Sequence, residues 1–226
     1  MRGAYFVTGT DTDVGKTLIA TGLLLKAREQ GLSTAAIKPV AAGAELTPGG
    51  LRNADALALS GVCYPPMAYD EINPVCLAPP IAPHIAAGEA GRELSVPLLA
   101  GHCQPIIARN PGLLLVEGAG GWRVPLNDRE TLADLAIALK LPVIIVVAMR
   151  LGCISHALLT VEAVARDGLP LAGWVANQVG GTMSRYDENL AYLREHIRAP
   201  LLGEVPWLAD ADPGRLTAYL NLPDLS

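Results

Sequence analysis

Apolar runs of strand length recur along the 226-residue chain, at 4–8, 33–40, 113–117, 143–148, 171–177 and, more weakly, 200–205. Several are unbroken, such as Leu113-Leu114-Leu115-Val116 and Val143-Ile144-Ile145-Val146-Val147. A strand with one wetted face alternates polar and apolar residues, whereas an unbroken run suits a strand covered on both faces. Stretches of helical character separate most of the runs, at 16–30, 53–60, 81–89, 96–110, 131–139, 155–167 and 186–197. In the first of these, Ile19, Leu23 and Ala27 share a face, and Gly31 supplies a stop. Strand–helix alternation of this kind predicts an α/β fold of three layers, a mostly parallel sheet with helices on both faces.

Composition agrees with one packed domain over 1–226: 51% of residues are hydrophobic and 17% charged. Only the stretch from Pro39 to Pro83 breaks the rhythm, with many glycines and prolines. An irregular segment of that length inside a compact domain points to function. The formal charge of −5 gives no general attraction for nucleic acid. Cys63, Cys76, Cys103 and Cys153 form no CxxC pair, so free thiols in a reducing compartment are expected. The run at 141–149 is too short to span a bilayer, and the N-terminus carries no signal-peptide pattern. A cytoplasmic protein without a membrane partner is the expectation. The four histidines lack ligand spacing, and no Gly-x-Ser-x-Gly element supports acyl hydrolysis.

The chemistry concentrates where the first strand meets the first helix. Gly9-Thr10-Asp11-Thr12-Asp13-Val14-Gly15-Lys16-Thr17 reads as strand end, loop and helix start. Backbone N–H groups of such a loop converge on phosphate oxygens, and the helix dipole adds positive potential. Lys16 would reach the outer phosphates and the Thr17 hydroxyl would ligate Mg2+, giving a P-loop NTPase-like site. Five residues separate Gly9 from Gly15 where the usual pattern has four. Asp11 and Asp13 must therefore point away from phosphate, towards the metal's water shell or a cationic co-substrate.

Three further residues bear on the same site. Glu117 closes an apolar strand and precedes Gly118-Ala119-Gly120-Gly121, a position from which a carboxylate serves Mg2+ directly or through water. Lys38 ends the second strand, one of four lysines against thirteen arginines, and offers a compact charge for an oxyanion or simply meets solvent. Asp55 begins a short helix, where the dipole favours an acidic residue without any function.

With these residues placed, the chain resembles the dethiobiotin synthetase family over nearly its whole length. The resemblance runs through the glycine loop, Lys38-Pro39-Val40, Leu51-Arg52-Asn53-Ala54-Asp55-Ala56 and Glu117-Gly118-Ala119-Gly120-Gly121-Trp122. It continues through Leu151-Gly152-Cys153-Ile154, Gly173-Trp174-Val175-Ala176-Asn177 and Gly203-Glu204-Val205-Pro206-Trp207-Leu208. The five-residue gap in the glycine loop is the family's own form. The resemblance implies a cyclo-ligase that uses ATP, Mg2+ and CO2 or bicarbonate to convert 7,8-diaminononanoate to dethiobiotin, ADP and phosphate. The route it implies passes through a carbamate and a carbamic–phosphoric anhydride.

By the same resemblance, Thr17, Asp55 and Glu117 hold Mg2+, Lys16 steadies the transferring phosphoryl group, and Lys38 steadies the carbamate and the anhydride. Asp13, Val14, Gly15, Gly118, Ala119 and Gly120 join Lys16 and Thr17 around ATP. Asn177, with Gln178, reads the base, and Pro206, Trp207 and Leu208 line its pocket. Thr12, Lys38 and Ala42 meet the diamine. Gly152, Cys153 and Ser155 reach the substrate's carboxylate end from the partner subunit of a homodimer. Ala42 stands where a serine is common in the family, Ser155 where an asparagine is, and Gln178 where an acidic residue is. These departures bear on substrate hydrogen bonds and base preference and leave the phosphate and metal set intact. Two alternatives share the nucleotide core: an ATP-switched partitioning or positioning protein, and an amidating ligase of the cobyrinate type. The first usually carries an extra lysine early in the loop, absent here, and the second needs an ammonia-delivering domain for which the chain lacks room.

Overall fold

In the computed structural model, residues 3–181, 183–208 and 212–224 are described, so both ends of the expected 1–226 domain lie outside them. The elements follow in order: β1 (Gly3–Gly9), α1 (Lys16–Glu29), β2 (Thr34–Ile37), β3 (Val40–Ala42), β4 (Glu45–Thr47), β5 (Gly50–Arg52) and α2 (Ala54–Val62). Next come α3 (Tyr69–Ile72), β6 (Val75–Leu77), α4 (Pro83–Glu89), α5 (Val96–Ala108), β7 (Leu113–Gly121) and α6 (Leu132–Leu139). The chain continues with β8 (Val143–Ala148), α7 (Cys153–Arg166), β9 (Leu171–Asn177), α8 (Tyr186–His196), β10 (Leu201–Val205) and α9 (Pro213–Leu216).

Six strands make one parallel sheet in the order β10-β9-β8-β1-β7-β2. Its continuous apolar strands send alternate residues to opposite faces. Leu114 and Val116 join a core with Leu99, Cys103, Leu135 and Leu193 from α5, α6 and α8. Leu113 and Leu115 join a second core with Ile19, Leu23, Leu59 and Leu216 from α1, α2 and α9. Helices thus cover both faces, as the unbroken runs require. Among the described residues no helix is long and apolar enough to cross a membrane.

The topology decides where the site forms. From β1 the chain passes outward to β2 on one side, and later strands extend the sheet on the other. The glycine loop therefore lies at the switch point, outside the carboxyl end of a central strand. β7 inserts between β1 and β2, with Val7 opposite Glu117 and Ile37 opposite Val116. The residue after Ile37 is Lys38, so strand register alone brings Lys38 beside Glu117.

Two expected strand boundaries are corrected. The run 33–40 does not form one strand, because Pro39 has no N–H for a ladder. The Lys38 N–H donates to the Ile72 carbonyl at 2.7 Å, and the chain restarts as β3 in a separate two-stranded sheet with β6. Glu117 does not end its strand either: β7 continues through the glycines to Gly121. A Cβ at Gly118 would meet the Phe6 ring at 3.2 Å, so close contact with β1 accounts for the small residue there. The helix expected at 155–167 starts earlier, at Cys153, after Gly152 at φ 97°. The irregular stretch from 39 to 83 holds short elements that composition concealed, including the β4–β5 hairpin and α3.

Candidate active site

The loop between β1 and α1 is built around two unusual backbone positions. Asp13 lies at φ 57° and Gly15 at φ 85°. Only glycine meets both demands at position 15, since a Cβ there would also approach Asn177 Nδ2 to 2.3 Å. That Nδ2 donates to the Val14 carbonyl at 2.8 Å, tying the end of β9 to the loop. Asp11 faces a protein cation rather than the metal's water shell or a co-substrate: its carboxylate accepts from Thr12 N at 2.8 Å and pairs with Arg150 at 2.5 Å. Lys16 curls back over the loop and donates to the Asp11 carbonyl at 3.1 Å.

Lys38, Glu117, Asp55 and Thr17 converge as the register requires. Lys38 Nζ donates to Glu117 Oε1 at 2.5 Å, to Asp55 Oδ2 at 2.9 Å and to the Gly118 carbonyl at 3.4 Å. The Thr17 hydroxyl donates to Glu117 Oε1 at 2.7 Å. Glu117 is 0% exposed and Lys38 3%, whereas the Asp55 side chain is 47% exposed at the mouth. Burial disfavours the Lys38 ammonium, but Glu117 and then Asp55 more than offset it, and its pKa rises above the ordinary lysine value. Lys16 goes the other way. Burial, reinforced by the Lys38 charge, pulls it down to about 8 despite the nearby carboxylates. Desolvation opposes the charge on Asp55, yet Lys38, Thr17 and Lys16 together hold its carboxyl below the usual range.

The donor set suits a hard divalent cation. Glu117 Oε2 is buried without a hydrogen-bond partner, an orphaned acceptor beside the Thr17 hydroxyl and the Asp55 carboxylate. Among the described residues no cluster of three or more His, Cys, Asp or Glu could form an all-protein cage. Mg2+ at phosphate sites needs only one or two carboxylates, because phosphate oxygens and water complete its shell.

Two cavities adjoin the loop and share Asp13, Gly15 and Leu18. The larger, of about 840 Å3, contains Thr12, Lys16, Thr17, Lys38, Ala42, Asp55, Ala119 and Gly120 on its walls. The smaller, of about 200 Å3, is lined by Asn177, Gln178, Pro206, Trp207 and Leu208. The residues expected around the base thus gather on one side of the loop, and those expected around the diamine's reacting end on the other. Val14, Glu117 and Gly118 lie behind the walls rather than on them.

Gly152, Cys153 and Ser155 line neither cavity. Gly152 and Ser155 are exposed, while the Cys153 side chain is buried towards α8, with its Sγ 3.9 Å from Asn189 Oδ1.

Sequence reasoning missed three contributors. Asn53 accepts from Ala56 N at 3.3 Å and donates to the Ala42 carbonyl at 3.1 Å, joining the start of the Asp55 helix to the end of β3. Its N-cap role was readable from the Asn-Ala-Asp start of a helix. Arg150, which holds Asp11, and Arg123, on the wall of the larger cavity, carried no local signal.

Comparisons with known proteins agree with this geometry. A family model described as an AAA domain matches residues 3–215. Proteins named ATP-dependent dethiobiotin synthetase BioD are similar along nearly the full chain. The one from Pseudomonas paraeruginosa is 59% identical over 98% of this chain and 97% of its own. That from Cellvibrio japonicus is 57% identical over 99% and 98%, and that from Marinobacter nauticus 50% over 99% and 98%. Among solved structures, a ParA family ATPase from Chlorobium tepidum superposes with a TM-score of 0.58 at 11% identity, over 96% of this chain and 93% of that one. The signal recognition particle receptor FtsY from Elizabethkingia anophelis, in complex with GDP, gives 0.55 at 12% over 100% of this chain and 61% of its own. At such identities the two structures speak for the fold alone. The loop, the buried lysine with its carboxylates and the full-length similarity converge on one assignment: the chain belongs to the ATP-dependent dethiobiotin synthetase family, a family of enzymes.

Proposed function

We propose that this protein carboxylates 7,8-diaminononanoate with CO2 and closes it to dethiobiotin, spending ATP and releasing ADP and phosphate. One observation carries the reading: Lys38, buried and bonded to Glu117 and Asp55, stands on the wall of a cavity much larger than the base pocket. A phosphate loop that only hydrolysed or sensed ATP would not need that second chamber or a second lysine facing it.

In this reading the triphosphate lies along the loop with its base between Asn177, Gln178 and the Pro206–Leu208 segment. Thr17, Asp55 and Glu117 hold Mg2+, which when bound supplies neutralising charge to the phosphates. One substrate amine adds CO2 to give a carbamate in the larger cavity, beside Thr12 and Ala42. Lys38 steadies the carbamate's negative charge, and Lys16 steadies the transferring phosphoryl group. The carbamate oxygen attacks the γ-phosphorus and ADP leaves, forming the mixed anhydride. The second amine then attacks the carbonyl, closes the ring and expels phosphate. Two anions must meet in this sequence, so most of the catalysis rests on positioning and charge neutralisation.

The protein acts as a homodimer in this account. Leu151, in the turn before α7, is 94% exposed, and Leu159 on α7 is exposed as well, an apolar surface suited to a second copy. Gly152 and Ser155 beside it would reach the partner's substrate, while Cys153, buried towards α8, would act only by packing behind them. The test is phosphate release with Mg-ATP and bicarbonate, with and without the diamine, combined with mass spectrometry of the product. Dethiobiotin formed in step with diamine-dependent phosphate supports the proposal, and diamine-independent turnover without dethiobiotin overturns it.

A further inference from the structure

The larger cavity has a composition that the phosphate and metal chemistry does not use. Besides Lys16, Lys38 and Asp55, its walls include the apolar Pro80, Ile81, Ala82, Pro83, Val124 and Pro125. Among these apolar walls stands one cation, Arg123.

Its placement follows from the strand that delivers Glu117. β7 runs through its glycines to Trp122, which turns inward against the Phe6 ring, with centroids 6.0 Å apart at 86°. Trp122 Nε1 donates to Asp167 Oδ2 at 2.7 Å. The next residue, Arg123, pairs through one terminal nitrogen with Asp167 Oδ1 at 2.8 Å. Asp167 is thus held at both oxygens and in turn anchors the guanidinium. Arg123 remains half exposed, and a guanidinium has five N–H donors, so the anchor leaves donors for a ligand.

We propose that Arg123 is the same-chain binding residue for the carboxylate of the acyclic substrate, with the Pro80–Pro83 and Val124–Pro125 walls enclosing its methylene chain. This rests on the function proposed above and adds to the partner-subunit contacts expected there. The substrate is cationic at its reacting end, apolar along its middle and anionic at its far end. The cavity offers a counterpart to each part: the carboxylates of Asp13 and Asp55, apolar walls and an anchored arginine. A guanidinium suits this task because its planar fork matches a carboxylate.

The test compares 7,8-diaminononanoate with the same diamine carrying a methyl group in place of the carboxylate. Wild-type protein should show a lower KM for the acid. Arg123→Gln should raise the KM for the acid roughly tenfold, the scale of one lost charge-assisted hydrogen bond. It should leave the KM for the methyl analogue, the KM for ATP and kcat near wild type. Arg123→Lys, which keeps the charge without the fork, should fall between the two and guards against a folding defect in the glutamine variant. An Arg123→Gln protein that keeps the wild-type preference for the acid overturns the proposal, as does a rise in the ATP KM with no change for the acid. Failure of wild-type protein to make cyclic urea from either diamine would instead remove the functional reading beneath it.

Discussion

Replacing Lys38 by methionine keeps much of its stem but removes the charge that holds the site's carboxylates together. The ammonium contacts Glu117 at 2.5 Å and Asp55 at 2.9 Å. Asp55 is half exposed, and its pair with Lys38 is worth little once water screens it, about 0–1 kcal/mol. Glu117 is 0% exposed. Stripping a buried carboxylate of its cation costs about 3–5 kcal/mol, because the desolvated charge remains without compensation. Lys38→Met should lower the unfolding free energy by that amount, a large share of the roughly 5–15 kcal/mol a domain commands. Urea denaturation at pH 7 in EDTA, with the midpoint shifting at constant slope, would measure it. Glu117→Gln in the Lys38→Met background should recover stability, giving a coupling of about 2 kcal/mol or more in the double-mutant cycle. Added Mg2+ should stabilise Lys38→Met more than wild type, since the proposed ion would bring charge to the same carboxylates. A loss under about 1 kcal/mol, or additivity within about 0.5 kcal/mol, would mean that Lys38 does not compensate the buried Glu117 charge.

Other consequences follow from the loop and its neighbours. Gly15→Ala must place a non-glycine residue at φ 85° and press on Asn177, so it should cost at least about 2 kcal/mol in urea denaturation and weaken ATP binding; stability within about 0.5 kcal/mol of wild type would contradict the loop geometry. Lys16 is pulled down to about 8 in the folded protein, below its unfolded value, so between about pH 8 and 10.5 the unfolded chain binds more protons and this residue's contribution makes stability rise with pH. Triphosphate binding should draw the proton back: titration calorimetry at pH 8.5 in buffers of different ionisation enthalpy should show proton uptake, shrinking towards pH 7 and absent in Lys16→Met. Trp207 is 52% exposed at the smaller cavity, proposed to take the base, while Trp122 and Trp174 are buried, so ATP should change tryptophan emission in wild type and much less in Trp207→Phe.

The layers were legible in the sequence because burial on both faces leaves an unbroken apolar run, and the loop because strand, glycine and lysine must follow one another in the chain. Leu113–Val116 and Val143–Val147 announced central strands without help from any partner. The meeting of Lys38 with Glu117 was not legible from the residues themselves, since it depends on β7 entering between β1 and β2, a choice of strand order that no local pattern records. The boundaries that shifted have similar causes. Pro39 split a run whose hydrophobicity was continuous, and Gly118–Gly121 prolonged a strand in a composition usually read as loop. Asn53 had a readable local role as a cap, but its grip on the Ala42 carbonyl depends on the fold of 39–52. Arg123 and Asp167 are far apart in sequence, and only the meeting of the turn after β7 with the residue that closes α7 makes them a pair.

In the proposed reaction the large cavity beside the loop joins a carbamate to the γ-phosphate, rather than admitting water to it. Oxygen transfer tests this directly. With 18O-labelled CO2 supplied to Mg-ATP, the diamine and the protein in a single rapid turnover, the carbamate oxygen that attacks the γ-phosphorus should leave with it. One 18O is expected in the released phosphate for each dethiobiotin formed. Unlabelled phosphate, or label that enters from solvent water instead, would contradict it.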